Sequence, residues 1–460
     1  MSNFDIAISG GRIIDPDSGL DSISNIGIKK GTIAEISDAT LDAEETIDAT
    51  GKVVSPGFID LHCHPQDYEI FEVQARDGVT TTLELEVGTD DIDSFYKKWE
   101  GKSPINYGAS IGHIPARMKV MNDPGVFVPS GDAARREATE DEIEGMKTLI
   151  RLGLEKGALA VGFGIDYTRA ASRWEIIEMF KVAAEYSASC HVHLRGKGHK
   201  EPSSSIEALE EVIAATAITG ASLHVVHINS TGLKAVPKLL NMIDGARAQG
   251  LDVTTECYPY SAGMTKIESS VFDEGWEDHY GITVNDLMWP ETGEYLSPET
   301  FAEHRETGGW VIAFSIPEDA LNEAVVSPLT MIATDSIIEA GKGHPRTAGS
   351  YSRVLGRYVR ERGDLSLIDA LKKMTIMPAR RLEQRAPAFK KKGRLQTGSD
   401  ADITIFNPNT ILDMSTYTEP VKAPTGVEYV LVGGIPVVHN SKFEQGSTPG
   451  RGILARKGAI

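Results

Sequence analysis

Apolar and polar positions follow two different rhythms along this chain. The first 55 residues consist of short apolar runs, FDIAISGGRIID, NIGIKKGTIAEIS and ETIDATGKVVSP, broken by Gly or Pro. Such runs with Gly at each reversal predict antiparallel strands, with a Gly-Gly turn inside the first and a Lys-Lys-Gly turn inside the second. The tail repeats the texture in GRLQTGSDADITIFNPN and VEYVLVGGIPVVHN. Two β-rich ends around a differently patterned middle predict that the termini pair into one small β domain.

In the middle, apolar runs alternate with segments of helical periodicity. FIDLH, TTTLELE, INYGASIGH, ALAVGFGI, SCHVHL, SLHVVHI, LDVTTECY and LTMIATD read as eight strands. EIEGMKTLIRLGLEKG, EIIEMFKVAAEYSA and IEALEEVIAATAITG repeat apolar residues at helical spacing. Strands alternating with helices imply parallel βαβ units, and eight of them predict an α/β fold closed as a (β/α)₈ barrel. The connection after the seventh strand, about 259–328, is rich in Glu, Asp, Trp and Gly and far longer than an ordinary loop. An insertion of that length predicts a lid or binding loop.

Composition narrows the function. The 460 residues carry 46 Lys and Arg against 66 Asp and Glu, a net charge of −20. Nucleic acid is thereby disfavoured as a partner, since its affinity comes from clustered Lys and Arg. A chain this long buries a sufficient core without staples, so a metal would serve chemistry rather than folding. Three cysteines, Cys63, Cys190 and Cys257, suit a reducing compartment. The N-terminus lacks the basic and apolar regions of a signal peptide, and no run reaches the ~18–20 apolar residues of a membrane span. The expected setting is cytoplasmic, with a small molecule as partner and no membrane. A homo-oligomer is compatible with the sequence, which does not fix the oligomeric state.

Barrel chemistry sits at the C-terminal ends of strands. Strand one ends in His62-Cys63-His64, strand five in His191-Val192-His193, strand six in His224-Val225-Val226-His227 and strand eight in Asp335. Residues two apart on a strand face the same way, so His62 and His64 can share one ion. With only 12 His in the chain, their gathering at three strand ends points to a metal site. Imidazoles plus a carboxylate with an open position is the catalytic zinc arrangement, and Asp335 could hold a water and accept its proton. An N-cap role for Asp335 in TDSIIEA is compatible with that. Glu84 and Glu86 share a face of strand two, where a buried carboxylate needs a metal or a shared proton. Glu86 is nearer the strand's C-terminal end and is the preferred ligand, with Glu84 the alternative. His113 ends strand three and could polarise a carbonyl, contact a substrate or cap the turn. His191 and His224 lie deeper than His193 and His227 and read as supporting residues.

These features together identify a resemblance. PGFIDLHCH after an N-terminal β segment, then a barrel, then GRLQTGSDADITIFNP, is similar to the amidohydrolase superfamily. VHLRG, YPYSAG, IATDS and GHPRTAGSYSRVLGRYV fit its N-acyl-D-amino-acid deacylases, and TTTLELEVG with INYGASIGHIPARMKVM resembles the D-glutamate deacylase branch. The resemblance implies a distorted TIM (β/α)₈ barrel over residues 57–389 with a small β-sandwich domain of residues 1–56 and 390–460. It implies zinc held by His62, His64, His193 and His227, with Asp335 activating water; Glu86 joins them from the strand reading above, and the expected metal is Zn²⁺, one ion or two. It also implies Arg346 as the grip on the substrate carboxylate, with Tyr167 and Tyr258 near that carboxylate or the scissile carbonyl. Three departures matter. Many relatives carry a metal-binding Cys after strand two, where this chain has Glu86-Val87-Gly88. Their strand-six His-His-Lys is here His227-Ile228-Asn229. Strand four, ALAVGFGI, lacks the bridging Lys of other branches.

The expected reaction is zinc-dependent hydrolysis of N-acyl-D-amino acids, N-acyl-D-glutamate favoured. His113 or Tyr167 would assist at the carbonyl, and Arg195, Lys266 or Arg117 would bind an acidic side chain. Alternatives are a cyclic amidase or lactonase of the hydantoinase–dihydroorotase type and a non-catalytic binding barrel.

Overall fold

The computed structural model describes residues 3–64 and 66–458. Each of the eight apolar runs contains a strand: β1 (Phe58–Asp60), β2 (Val79–Thr89), β3 (Asn106–Gly112), β4 (Ala160–Gly164), β5 (Ser189–His193), β6 (Ser222–Val225), β7 (Val253–Cys257) and β8 (Thr330–Ile332). They hydrogen-bond side by side in chain order from β1 to β8, and the ladders are parallel. Helices Glu140–Glu155, Arg173–Glu185 and Ser205–Thr219 occupy the three segments of helical periodicity. Two of them begin in a reciprocal capping box, Thr139 with Glu142 and Ser204 with Glu207, which satisfies the otherwise orphaned first-turn N–H groups. Ile111, Ile150, Phe163, Phe180 and Val192 pack in the layer between wall and helices. Each fully buried aliphatic or aromatic there contributes about 1.5–3 kcal/mol relative to exposure.

No ladder joins β8 to β1 among the described residues. Side chains close that seam instead. Asp60 at the end of β1 accepts from the amide and hydroxyl of Thr334 (3.0 and 2.5 Å) and from the Gln74 amide (2.6 Å). Just beyond, Cys63 and Ser336 form a single parallel bridge. Burial pushes the Asp60 carboxyl up to about 7, against the pull of the Thr334 donors.

Both ends of the chain build one nine-stranded sheet. The joint is antiparallel pairing of Val53–Pro56 with Ile403–Phe406, Val54 opposite Ile405. Around it lie Ile13, Ile26, Ile28, Ile33, Ile403 and Leu431. The Lys-Lys-Gly segment does reverse the chain, between Leu20–Lys29 and Thr32–Ser37. The Gly-Gly pair does not: Phe4–Asp15 is one strand with a bulge between Ile8 and Gly11. A Cβ at Gly11 would come within 2.5 Å of Val54, so glycine here serves close strand packing rather than a turn.

The long connection between β7 and β8 carries its own four-stranded antiparallel sheet, Gly263–Lys266, Trp310–Ala313, Leu287–Trp289 and Glu294–Tyr295. Among the described residues no helix is long and apolar enough to cross a membrane.

Candidate active site

β2 is the irregular stave of the barrel. Glu84 stands opposite Ala109 of β3 and Thr89 opposite Ile111, so five residues of β2 advance against two of β3. The excess swells into a bulge, a device that re-aims side chains. Glu84 turns back to hold it, its Oε1 accepting from the amides of Val87 and Gly88 at 3.2 Å each. Glu86 projects into the mouth of the barrel. One of its oxygens meets His62 Nε2. The other lies 2.8 Å from His193 Nδ1 and 4.0 Å from His227 Nε2. Of the two strand-two carboxylates, Glu86 is therefore the central one, while Glu84 reaches only the rim at 3.5 Å from His64 Nδ1.

Asp335 completes the group, with Oδ1 3.4 Å from His62 Nε2 and 3.3 Å from His64 Nε2. No helix follows it. Ile338–Glu339 pairs with Lys342–Gly343 in a small hairpin, which removes the N-cap alternative. Asp335 and His227 both take left-handed backbone, φ 49° and 31°. Non-glycine residues in that region cost on the order of 1–3 kcal/mol and are held where a site over-determines them. His227 Nε2 lies 3.1 Å from His193 Nδ1.

The nitrogens His62 Nε2, His64 Nδ1 and His193 Nε2 are buried without a hydrogen-bond partner of good geometry. Two sets of donors converge within 4.8 Å, His62–His64–Glu86–Asp335 and Glu86–His193–His227, with Glu86 common to both. Imidazole nitrogens and carboxylate oxygens in this number fit zinc, and a shared carboxylate allows one ion or two.

Beneath the group, Glu256 of β7 accepts from His62 Nδ1 at 2.7 Å and contacts His224 Nε2 at 3.0 Å. This bond fixes His62 so that Nε2 faces Glu86. Burial alone would raise Glu256, but the two imidazoles hold it near 2. His191 stacks on His224 with ring centroids 4.6 Å apart, and neither lines the cavity. Glu256 escaped the sequence reading, although a carboxylate inside the run VTTEC signalled that something must compensate it.

Electrostatics follow from burial opposed by charge. Desolvation would lower His62 and His64, yet Asp335, Glu86 and Glu256 raise the first well above its ordinary value, and Glu84 and Asp335 raise the second to about 9. Burial likewise would raise Asp335, but Arg346 and the imidazoles hold it well below the carboxylate range. His227, desolvated and beside His193, falls to about 3. Without metal, His64 is thus protonated at neutral pH and His62 is pushed the same way. Zinc binding must displace protons from these imidazoles, so apparent affinity is expected to rise with pH below about 9. Calorimetry at pH 7 in buffers of different ionisation enthalpy should show net proton release on zinc binding; none released would contradict this charge arrangement.

The cavity over the group measures about 560 Å³, open space at its mouth included, and is walled by Phe127, Tyr167, Lys197, Tyr258, Thr265 and Trp310 among others. Tyr167 donates to or accepts from Thr265 Oγ1 at 2.9 Å and packs edge-on to His193. The buried Tyr258 hydroxyl has no hydrogen bond of good geometry among the described residues, Ser230 being its polar neighbour, whereas Tyr260 turns away to Asp413 and Ser415, 3.4 Å from each. Arg346 is fully buried behind the wall. It stacks 4.4 Å from the Tyr258 ring centroid and pairs with Asp335 at 2.9 Å, and none of its three nitrogens has a hydrogen bond of good geometry.

Four expected residues are not brought here. His113 starts the helix His113–Met121 and turns to the helix side of the wall, bonded to Glu175 at 2.7 Å and stacked on Phe163. Arg117 also pairs with Glu175 and is fully buried. Arg195 is gripped by both oxygens of Glu211 at 2.9 and 2.7 Å. Lys266 alternates away from Thr265 and lies 4.2 Å over the Trp310 ring.

Known proteins match this chain from end to end. The Amidohydrolase family profile matches residues 119–438. An N-acyl-D-glutamate deacylase of Alcaligenes xylosoxydans xylosoxydans is 30% identical over 100% of this chain and 98% of its own. A D-aminoacylase from the same organism is 27% identical over 99% and 98%. A crystal structure of N-acyl-D-glutamate deacylase from Bordetella bronchiseptica, complexed with zinc and a phosphonate mimic of the tetrahedral intermediate, superposes with a TM-score of 0.84 at 27% identity, covering 98% of this chain and 100% of that one. With strand-end histidines, a shared glutamate and an aspartate after β8 at the mouth of an eight-stranded barrel, the chain belongs to the amidohydrolase family.

Proposed function

We propose that the protein hydrolyses the amide bond of N-acyl-D-amino acids, N-acyl-D-glutamate in preference, giving a carboxylate and a free D-amino acid. The observation that carries this reading is the pair of donor sets sharing Glu86 with Asp335 beside His62 and His64, in a chain aligned over its full length with an N-acyl-D-glutamate deacylase.

His62, His64, Glu86, His193 and His227 would hold the metal. Zinc there supplies Lewis acidity, lowering the pKa of a water molecule and polarising an amide carbonyl. Asp335, ionised, accepts the water proton as the C–O bond forms and returns it to the nitrogen as the C–N bond breaks. Tyr167 and Tyr258 place hydroxyls in the cavity wall for the carbonyl or carboxylate oxygens. Arg346, ion-paired with Asp335 and otherwise without a hydrogen bond of good geometry among the described residues, is suited to an α-carboxylate, whose carbon bears the nitrogen that Asp335 serves. His113 has no part in this scheme. All these groups belong to the barrel segment 57–389, whose insertion at about 259–328 lines the cavity; among the described residues the small domain, 1–56 and 390–460, contributes none to its wall. β4 reads AVGFG and offers no lysine to a cyclic-amidase arrangement. The three cysteines are buried and free, in keeping with a cytoplasmic setting.

The test is amine release from N-acetyl amino acids, D and L forms in parallel, with zinc supplied. Preferred cleavage of N-acetyl-D-glutamate is expected, with the L enantiomer essentially inert. Equal cleavage of both enantiomers, or none of any member by zinc-loaded protein, would overturn the reading.

A further inference from the structure

An acidic side chain entering this cavity needs a cation, and the three offered by the sequence are occupied or turned away. Lys197 is not. It lies on the loop leaving β5, four residues beyond His193, and is 9% exposed. It lines the same cavity as His64, Glu86, His193 and Asp335. Among the described residues no carboxylate lies within ion-pair distance of it; Tyr280 of the insertion is its neighbour, with Nζ 4.4 Å from the ring centroid and the hydroxyl as hydrogen-bond partner.

The loop is built to hold the side chain there. Gly196 lies so close to Ser203 that a Cβ would come within 2.2 Å of the Ser203 carbonyl, and Gly198, at φ +65°, packs against the His279 backbone. The Gly198 amide donates to the Thr231 carbonyl at 2.9 Å, and the Ser205 amide and hydroxyl donate to the Gly198 carbonyl at 2.9 and 2.5 Å. Lys197 is therefore carried between two pinned glycines, tied to the β6 loop and to the helix that follows. Burial would lower its pKa, but Tyr280 and Asp166 raise it, so it is a cation at neutral pH. An ammonium this enclosed gives up hydration, and a ring face compensates only in part. Asp166 is shared rather than its partner: Oδ1 pairs with Arg169 at 2.8 Å and Oδ2 lies 3.9 Å from His193 Nε2, so it raises Lys197 without an ion-pair contact.

We propose that Lys197 receives the side-chain carboxylate of the N-acyl-D-amino acid and sets the preference for acidic substrates. This rests on the deacylase reading above. The α-carboxylate is bonded to the carbon bearing the scissile nitrogen, so its partner must adjoin Asp335, as Arg346 does at 2.9 Å. Lys197 makes no such contact. It belongs to the β4–β5 side of the cavity with Asp166 and Tyr280, where the far end of a glutamate side chain would reach.

The test compares N-acetyl-D-glutamate with its neutral isostere N-acetyl-D-glutamine, using wild type, Lys197→Met and Lys197→Arg at equal zinc content. Lys197→Met should lower kcat/KM for the glutamate about 10–100-fold and change the glutamine by less than about threefold, while Lys197→Arg keeps most of the preference. An equal fall on both substrates would assign Lys197 to structure or to the α-carboxylate and overturn the inference, as would an unchanged ratio. Wild type that cleaves neither compound overturns the deacylase reading and this inference with it; wild type that prefers the glutamine overturns this inference alone.

Discussion

Asp335→Asn is expected to lower kcat for amide hydrolysis by about 10³-fold while zinc content and the unfolding midpoint stay near wild type. General acid–base groups contribute on the order of 10²–10⁴-fold, and this one is asked for two transfers in one turnover. The structure prepares it for both. Arg346 and the neighbouring imidazoles keep it ionised against the pull of burial, and its left-handed backbone aims it back at His62 and His64. Asparagine preserves the shape and an oxygen but cannot take a proton. The measurement is single-turnover amine release together with metal analysis of the same preparation. A variant that keeps full turnover would remove Asp335 from the chemistry. One that loses zinc in proportion to activity would assign it to metal binding alone.

The second large effect is expected at Glu86. Because both donor sets include it, Glu86→Ala should weaken zinc binding about 10²–10³-fold, comparable with the roughly 3–5 kcal/mol for deleting one partner of a buried ion cluster. It would also remove the carboxylate 2.8 Å from His193 Nδ1, while His62 keeps Glu256. Glu84→Gln serves as the contrast. Glu84 braces the bulge through the Val87 and Gly88 amides, which an amide oxygen can still accept, so zinc affinity should change far less. Competition with a chromophoric chelator reads both variants, and comparable losses would mean that the bulge does not single out Glu86.

The fold was legible because barrel strands buried on both faces leave short apolar runs, and all eight did so. The metal-binding candidates were legible because histidines gather at three strand ends; β1 stops at Asp60, yet single bridges at His62 and Cys63 prolong its course, and His62 and His64 both reach Asp335. Less visible was anything decided where the chain turns away from a strand. His113 follows a strand and a glycine, as a site residue would, but the helix that begins at it carries its ring round to Glu175. Arg117, one turn on, goes with it. Arg195 sits two residues beyond His193 on a chain that has already left the strand, and it meets Glu211. Lys197, two residues further, enters the cavity, and only the packing of its flanking glycines decides that. The choice between Glu84 and Glu86 needed the register slip against β3, which no spacing in the sequence announces. The Gly-Gly pair at 10–11 looked like a turn because glycine serves bulges and turns alike.

The most direct test of the account is zinc titration of metal-stripped protein, with amine release from N-acetyl-D-glutamate followed at each point. Turnover is predicted to be absent without metal and to rise in step with zinc at the His62–His64–Glu86–His193–His227 group. Hydrolysis that persists in stripped protein, or protein that binds zinc there and leaves the substrate intact, would contradict it.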